Sequence, residues 1–192
     1  MLNDRTSTLS LLTTRRSCRP RDLVEPGPSE AELRQILVVA SRVPDHGKLN
    51  PWRFVHIPRS ARAAFAALLD EAYRAENPNP GRLELEANER FAHQAPELIV
   101  PIFSPKESKI PEWEQELSCG AACMNLIVAT AALGYCAGWV TGWATYSDRV
   151  RDAFASPRER LTGFVFIGTP GIALEERQRP AFDEVVSQWT GA

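Results

Sequence analysis

The sequence is short of the residues that most often announce chemistry. Of its 192 residues only three are histidines, His46, His56 and His93, and they stand apart from one another. His56 falls inside an apolar run that reads as a strand, where a structural role is the simpler one. The four cysteines, Cys18, Cys119, Cys123 and Cys136, include no C-x-x-C pair. Cys119 and Cys123 are one helical turn apart, but nothing supplies two further ligands at a fixed spacing, so no metal site is expected. They read as small buried residues of a helix. The signatures G-x-G-x-x-G, G-x-x-x-x-G-K-[ST], H-E-x-x-H and G-x-S-x-G are all missing, which argues against the nucleotide-binding, zinc-protease and hydrolase chemistries they mark. Positive charge is not concentrated either. The 22 Lys and Arg face 24 Asp and Glu for a net charge of −2, which excludes a strongly basic nucleic-acid binder. Near the N-terminus Leu9, Leu11 and Leu12 sit among Ser and Thr rather than in an apolar leader, so a cytoplasmic setting with reduced cysteines is expected.

What is there reads as one globular domain over residues 1–192, with 44% apolar residues and enough length for a sizeable core. Residues 5–16 predict a short helix with Leu9, Leu12 and Arg16 on one face, stopped by Pro20. Ser29-Glu30-Ala31-Glu32 is a capping box, and Leu33, Ile36, Leu37 and Ala40 continue it as an amphipathic helix. Helices are expected over 60–76 and 83–93, the two separated by Asn77-Pro78-Asn79-Pro80-Gly81. The strands read as Phe54–Ile57, Leu98–Phe103, Cys136–Thr141 and Gly163–Gly168, and Pro101 suggests that the second lies at an edge or an end. Asp148–Ala155 predicts a helix with Ser147 as its N-cap. The tail, 171–192, shows little periodicity.

The stretch from Cys119 to Val140 carries no charge and is long enough to span a bilayer. Gly134 and Tyr135 break it, however, and Glu112, Glu114 and Glu116 lead into it without a basic flank. It reads as a long buried helix, 112–134, followed by a buried strand. Pro111 and the three glutamates suit a helix N-terminus. A helix apolar nearly all round needs cover on every side, and in so small a chain a second subunit can supply it.

Three stretches have the composition of a ligand site. Arg15-Arg16-Ser17-Cys18-Arg19 places guanidinium forks and a hydroxyl at a helix end, which suits a phosphate dianion, although cations at a helix C-terminus have a structural use as well. Pro44-Asp45-His46-Gly47-Lys48-Leu49-Asn50-Pro51-Trp52 is a stiff, polar loop, fit to hold a ligand or simply to connect around a buried Trp. Gly138-Trp139-Val140-Thr141-Gly142-Trp143 has two glycines that allow close backbone approach by a flat ligand, or a crowded core strand.

In this order the three stretches resemble the nitroreductase family of flavoproteins, and most closely its small bacterial branch of NAD(P)H nitroreductases. Trp113-Glu114-Gln115-Glu116, Leu133-Gly134-Tyr135 and Gly168-Thr169-Pro170 extend the resemblance over nearly the whole chain. It implies an α+β fold, with a mixed, mostly antiparallel sheet flanked by helices, in an intertwined homodimer with FMN at the subunit interface. Arg15, Arg16 and Ser17 then match the phosphate and ribityl contacts, with Arg19 beside them. His46 and Asn50 match loop positions that approach the cofactor, and Trp139, Val140 and Thr141 match the segment lining the flavin ring. Arg177 and Arg179 match the phosphate pair of the tail. Asn50 stands where Gln is common, and Val140 can offer only its backbone. The implied activity is oxidoreduction: NAD(P)H as hydride donor, FMN as carrier, and a nitroaromatic, quinone or other electron-poor small molecule as acceptor in ping-pong order. No side chain stands out as a catalytic acid or base. Two other outcomes remain compatible, a flavin-sequestering module without turnover and a flavin-using dehydrogenase on the same fold.

Overall fold

The computed structural model describes residues 1–191. The chain runs α1 (Thr8–Thr14), β1 (Leu23–Val24), α2 (Glu30–Ala40), β2 (Trp52–His56) and α3 (Arg62–Glu76). It continues through α4 (Arg82–Ala92), β3 (Glu97–Phe103), α5 (Glu112–Ala132), β4 (Cys136–Val140) and α6 (Trp143–Tyr146). α7 (Asp148–Asp152), β5 (Arg160–Leu161), β6 (Phe164–Pro170) and α8 (Phe182–Val185) complete it.

The apolar run of β3 decides the layering, because it has no polar face to turn to water. Leu98, Val100 and Ile102 pack with Phe164 and Phe166 against Phe65 and Leu69 of α3. Ile99, with Val165 and Ile167 of β6, packs against Leu33 and Ile36 of α2 and Leu126 and Ile127 of α5. Helices therefore cover both faces. The core ladder is β2-β3-β6-β4, with β1 pairing the last residues of β6 and β5 pairing the end of β3. The resemblance implied a mixed, mostly antiparallel sheet; every pairing among the described residues is antiparallel.

Pro101 is not at an edge, as its type suggested, but inside a strand paired on both sides. Its place is explained by a break in register. Ile99 pairs with Val165 and Ile102 with Leu161, so two residues of β3 face three of the opposing chain, 162–164. At this bulge the missing N–H of proline costs no ladder bond. The Pro101 carbonyl accepts from both the Thr162 amide and its hydroxyl at 3.0 Å, and Gly163 supplies the positive φ of +127° that the detour requires.

The capping box forms as expected: Ser29 accepts from the Glu32 amide, and the Glu32 carboxylate accepts from the Ser29 amide at 2.8 Å. The first helix is shorter than expected. It ends at Thr14, with Leu11 buried while Leu9 and Leu12 are exposed. Arg15 already has extended backbone, which turns the following residues away from the helix axis. The two-residue strands β1 and β5 and the single turns α6 and α8 were not foreseen, being too short to carry a period.

Arg62 ties three segment ends together. It is 2% exposed. Its guanidinium donates to the carbonyls of Ile57, Ala92, Gln94 and Pro96 at 2.9–3.4 Å, closing the end of β2, the end of α4 and the approach to β3. No carboxylate lies within ion-pair distance of it among the described residues, and burial pushes its pKa down to about 10. The fork earns its place by satisfying backbone oxygens. Arg62→Ala should therefore cost at least about 3 kcal/mol in urea unfolding. Arg62→Lys should recover only part of that, since one ammonium cannot span all four carbonyls. A loss below about 1 kcal/mol for the alanine variant would show that water replaces the fork.

Candidate functional site

The segment Arg15–Arg19 runs extended along β4. Cys18 donates its amide to the Ala137 carbonyl at 3.3 Å, and a β-carbon on Gly138 would stand 2.5 Å from the Cys18 carbonyl oxygen. Gly138 thus admits the protein's own backbone, where its residue type had suggested the approach of a ligand. Asn3 and Cys136 hold the next residue. The Asn3 side chain accepts from the Arg16 amide at 2.7 Å and donates to its carbonyl at 3.3 Å, and the Cys136 thiol donates to the same carbonyl at 3.2 Å.

Fixed in this way, the arginines converge. Arg15 is partly buried and donates to the Ser17 hydroxyl at 3.2 Å. Its pKa is lowered first by burial and then by the charges of Arg179 and Arg16. Arg16 donates to the Glu175 carbonyl at 2.8 Å. Glu176 lies between Arg16, at 3.8 Å, and Arg179, at 3.7 Å. The tail thus folds back so that Arg179 joins the cluster, while Arg177 is engaged through its amide with the Glu176 carboxylate. A cavity of about 170 Å³ lies between Arg16, Ser17, Arg19 and the tail residues 172–175. Arg15, Arg16, Arg19 and Arg179 gather here against the carboxylates of Asp22, Glu175 and Glu176, which leaves a small excess of positive charge, the electrostatic condition for an anion.

The loop with His46 and Asn50 is built around Asp45, whose carboxylate accepts from the amides of Leu49, at 3.1 Å, and Asn50, at 2.8 Å. Gly47, Lys48 and Asn50 all have positive φ. His46 Nδ1 lies 2.8 Å from Glu114 Oε2, which docks this loop on the first turns of α5. Arg16, by contrast, sits beside Cys136, past the other end of α5. From Glu114 to Gly134 the chain advances about 30 Å at ~1.5 Å per residue. One chain therefore does not bring His46 and Asn50 to Arg15, Arg16 and Ser17.

Trp139, Val140 and Thr141 lie between these extremes. Trp139 is 39% exposed and donates its indole N–H to the Thr162 carbonyl at 2.9 Å. It lines a cavity of about 530 Å³ between α5 and the segments 145–151 and 160–162. Thr141 borders a separate apolar pocket of about 210 Å³ with Trp143 and Phe164. The loop carrying β5 is secured by Arg53, which grips Glu159 through Nε at 2.7 Å and Nη2 at 3.0 Å.

Asn3, Thr145 and Arg160 escaped the sequence reading. Each is an ordinary polar residue in an unremarkable setting, brought to a site only by folding. Gln115 of the Trp-Glu-Gln-Glu stretch proves to be a clamp: it accepts from the Lys106 amide at 2.8 Å and donates to the carbonyls of Lys106 and Ile110.

The family model described as the nitroreductase family matches residues 12–169. A protein of Escherichia coli (strain K12) named "Putative NAD(P)H nitroreductase YdjA" is 35% identical over 164 residues, covering 84% of this chain and 87% of that one. Among solved structures, a nitroreductase-like family protein from Bacillus cereus superposes with a TM-score of 0.81 at 19% identity, over 98% of both chains. An FMN and NADPH-dependent nitroreductase, NfnB, from sphigopyxis sp. strain HMH gives 0.74 at 18% identity, over 96% of this chain and 99% of that one.

The grip of Arg53 makes a prediction about acid. Its hydrogen bonds, outweighing burial, hold the Glu159 carboxyl down from an ordinary 4.5 to about 2. A depressed carboxyl contributes its stability in full above pH ~4.5 and loses it as pH falls toward 2. The urea midpoint of the native protein should fall more steeply across that window than that of Glu159→Gln. Parallel curves would mean that the pair adds nothing net.

Proposed function

The chain belongs to the nitroreductase family, and from that premise we propose that it is an FMN-dependent oxidoreductase that draws on NAD(P)H and works as a homodimer. The observation that carries the reading is the gathering of Arg15, Arg16 and Arg179 with the Ser17 hydroxyl where the tail folds back, beside a small cavity lined by Arg16, Ser17 and Arg19. Its donor set and excess charge fit the phosphate of FMN. Arg15, Arg16 and Arg179 would hold the phosphate, Ser17 would donate to the ribityl chain, and Arg19, which is exposed and lines the cavity, would add charge. Arg177 stands next in line, on the same tail. When bound, FMN supplies hydride acceptance from NAD(P)H and electron delivery to an electron-poor acceptor, a nitroaromatic or quinone, in ping-pong order. The chain's task is to bind and orient. Trp139, Val140 and Thr141 border the ring, with Val140 contributing backbone alone. No side chain is assigned as acid or base.

The separation of His46 and Asn50 from the arginines favours a site shared between two chains, in which the partner brings its own copies of these two residues to the ring. The exposed face of α5 favours the same pairing. Trp113, Leu117 and Met124 are 62%, 63% and 40% exposed, and Gly120 and Ala121 lie on the same helical stripe. A stripe of this kind on a self-complementary helix is suited to a two-fold interface.

The purified protein should be yellow and release about one FMN per chain on denaturation; a colourless protein that takes up no added FMN would end the reading. Arg15→Ala should weaken FMN binding roughly ten- to hundredfold with little change in fold, since charge-assisted bonds of about 1.5–3 kcal/mol are at stake. Anaerobic reduction by NADH or NADPH followed by a panel of acceptors separates an enzyme from a flavin-sequestering module. Ala121→Glu should lose dimer and flavin together, because a buried unpaired charge is costly and binding is linked to association. Light scattering with absorbance on one gel-filtration run decides this, and a monomer carrying stoichiometric FMN would refute the shared site.

A further inference from the structure

Beyond Trp139, which is assigned to the edge of the flavin ring, the cavity that this residue lines has features that flavin binding does not use. Its volume of about 530 Å³ falls in the range of roughly 300–1,000 Å³ usual for small-molecule sites. Three elements bring aromatic rings to it: Phe103 at the end of β3, Trp139 of β4 and Tyr146 of α6. Thr145 lines it too. This residue is 8% exposed, and its Oγ1 is a buried side-chain oxygen with no hydrogen-bond partner among the described residues. Buried hydroxyls are nearly always partnered, so an orphan beside an open cavity is a group waiting for a ligand.

The charges narrow the ligand further. Arg160 lies with its guanidinium carbon 5.0 Å from the centre of the Phe103 ring, which orients it by cation–π attraction. Its carboxylate neighbours, Glu116 at 3.2 Å and Glu112 at 3.9 Å, are 56% and 59% exposed. Pairs so exposed are worth little, and a ligand carboxylate presented in plane to the fork makes two shorter, stronger bonds. The other arginine, Arg151, is held by Asp148 and Asp152 and is only 20% exposed. One exchangeable cation, with Glu116 and Asp148 close by, suits a single negative charge and repels a dianion.

From these juxtaposed rings, hydroxyl and guanidinium we propose that the cavity binds an aromatic monocarboxylate, and that Arg160 is the specificity-determining residue of the electron-acceptor site. Arg160 takes the carboxylate, the rings flank the aromatic body, and the Thr145 hydroxyl donates to a polar substituent at the far end. Calling the ligand the acceptor rests on the oxidoreductase reading; its binding does not.

The test is isothermal titration of the FMN-loaded protein with 4-nitrobenzoate and with its neutral counterpart 4-nitrobenzamide, alongside steady-state reduction of both. The acid should bind about tenfold or more tighter than the amide. Arg160→Gln should remove that preference. Thr145→Val, which keeps the side-chain shape, should weaken 4-nitrobenzoate severalfold and leave benzoate, which lacks the distal oxygens, unaffected. Equal affinity for acid and amide in the native protein overturns the proposal without any variant, as does a preference that survives Arg160→Gln. Acid-selective binding without reduction of any acceptor would uphold the cavity and overturn the oxidoreductase reading. Reduction of both compounds with equal kcat/KM and no acid preference in titration would do the reverse.

Discussion

The contact between Cys18 and Gly138 is the constraint on which the arginine cluster depends. The Cys18 carbonyl occupies space that any side chain larger than hydrogen at position 138 would claim. Because that space is open, residues 15–19 lie as a near-strand against β4 instead of continuing α1. Arg15 and Arg16 are then presented from an extended backbone, and Asn3 and Cys136 lock the Arg16 peptide from two sides. Arg16 holds the tail over this platform by donating to the Glu175 carbonyl. Like charges gathered in this way are unfavourable in isolation. The hydrogen bonds to the Arg16 peptide hold the arginines in place against that repulsion, which an anion would relieve.

Helix α5 has the complementary role of a spacer. Its inner face is buried against β2, β3 and α2 through Cys119, Ala122, Cys123, Leu126 and Ile127. Its first turns carry the His46 loop, and its far end abuts the segments that hold the arginines. Its length keeps the two sets of polar residues in one chain apart, and its outer stripe of Trp113, Leu117, Ala121 and Met124 presents the surface by which a second chain can reunite them.

Around the Trp139 cavity, the register break at Pro101 has a consequence beyond the sheet. The extra residue in 162–164 ends β5 early and lets β6 resume the pairing with β3 one residue out of phase. The Thr162 carbonyl is thereby presented to the Trp139 indole, and Arg160 is carried above Phe103. Arg53 and Glu159 then pin the loop from behind. A proline unable to join a ladder thus shapes one wall of a cavity.

Features that depend on neighbours in the chain were legible in the sequence. The capping box at Ser29, the period of Leu33, Ile36 and Ala40, the apolar run of β3 and the stop at Gly134 all follow from local backbone chemistry and from apolar spacing. The arginine-serine cluster was legible as a composition suited to phosphate, and the order of motifs pointed to the family. What only the tertiary structure decided involves residues distant in sequence. Asn3 is committed to Arg16, Gly138 serves a backbone contact, and Arg179 joins Arg16 across Glu176. Pro101 sits in a central strand, and Thr145 and Arg160 meet at one cavity. Such pairings depend on register and on the path of a tail with little period of its own. A residue type states what a side chain can bond, but the fold alone determines which partner comes within three ångströms of it.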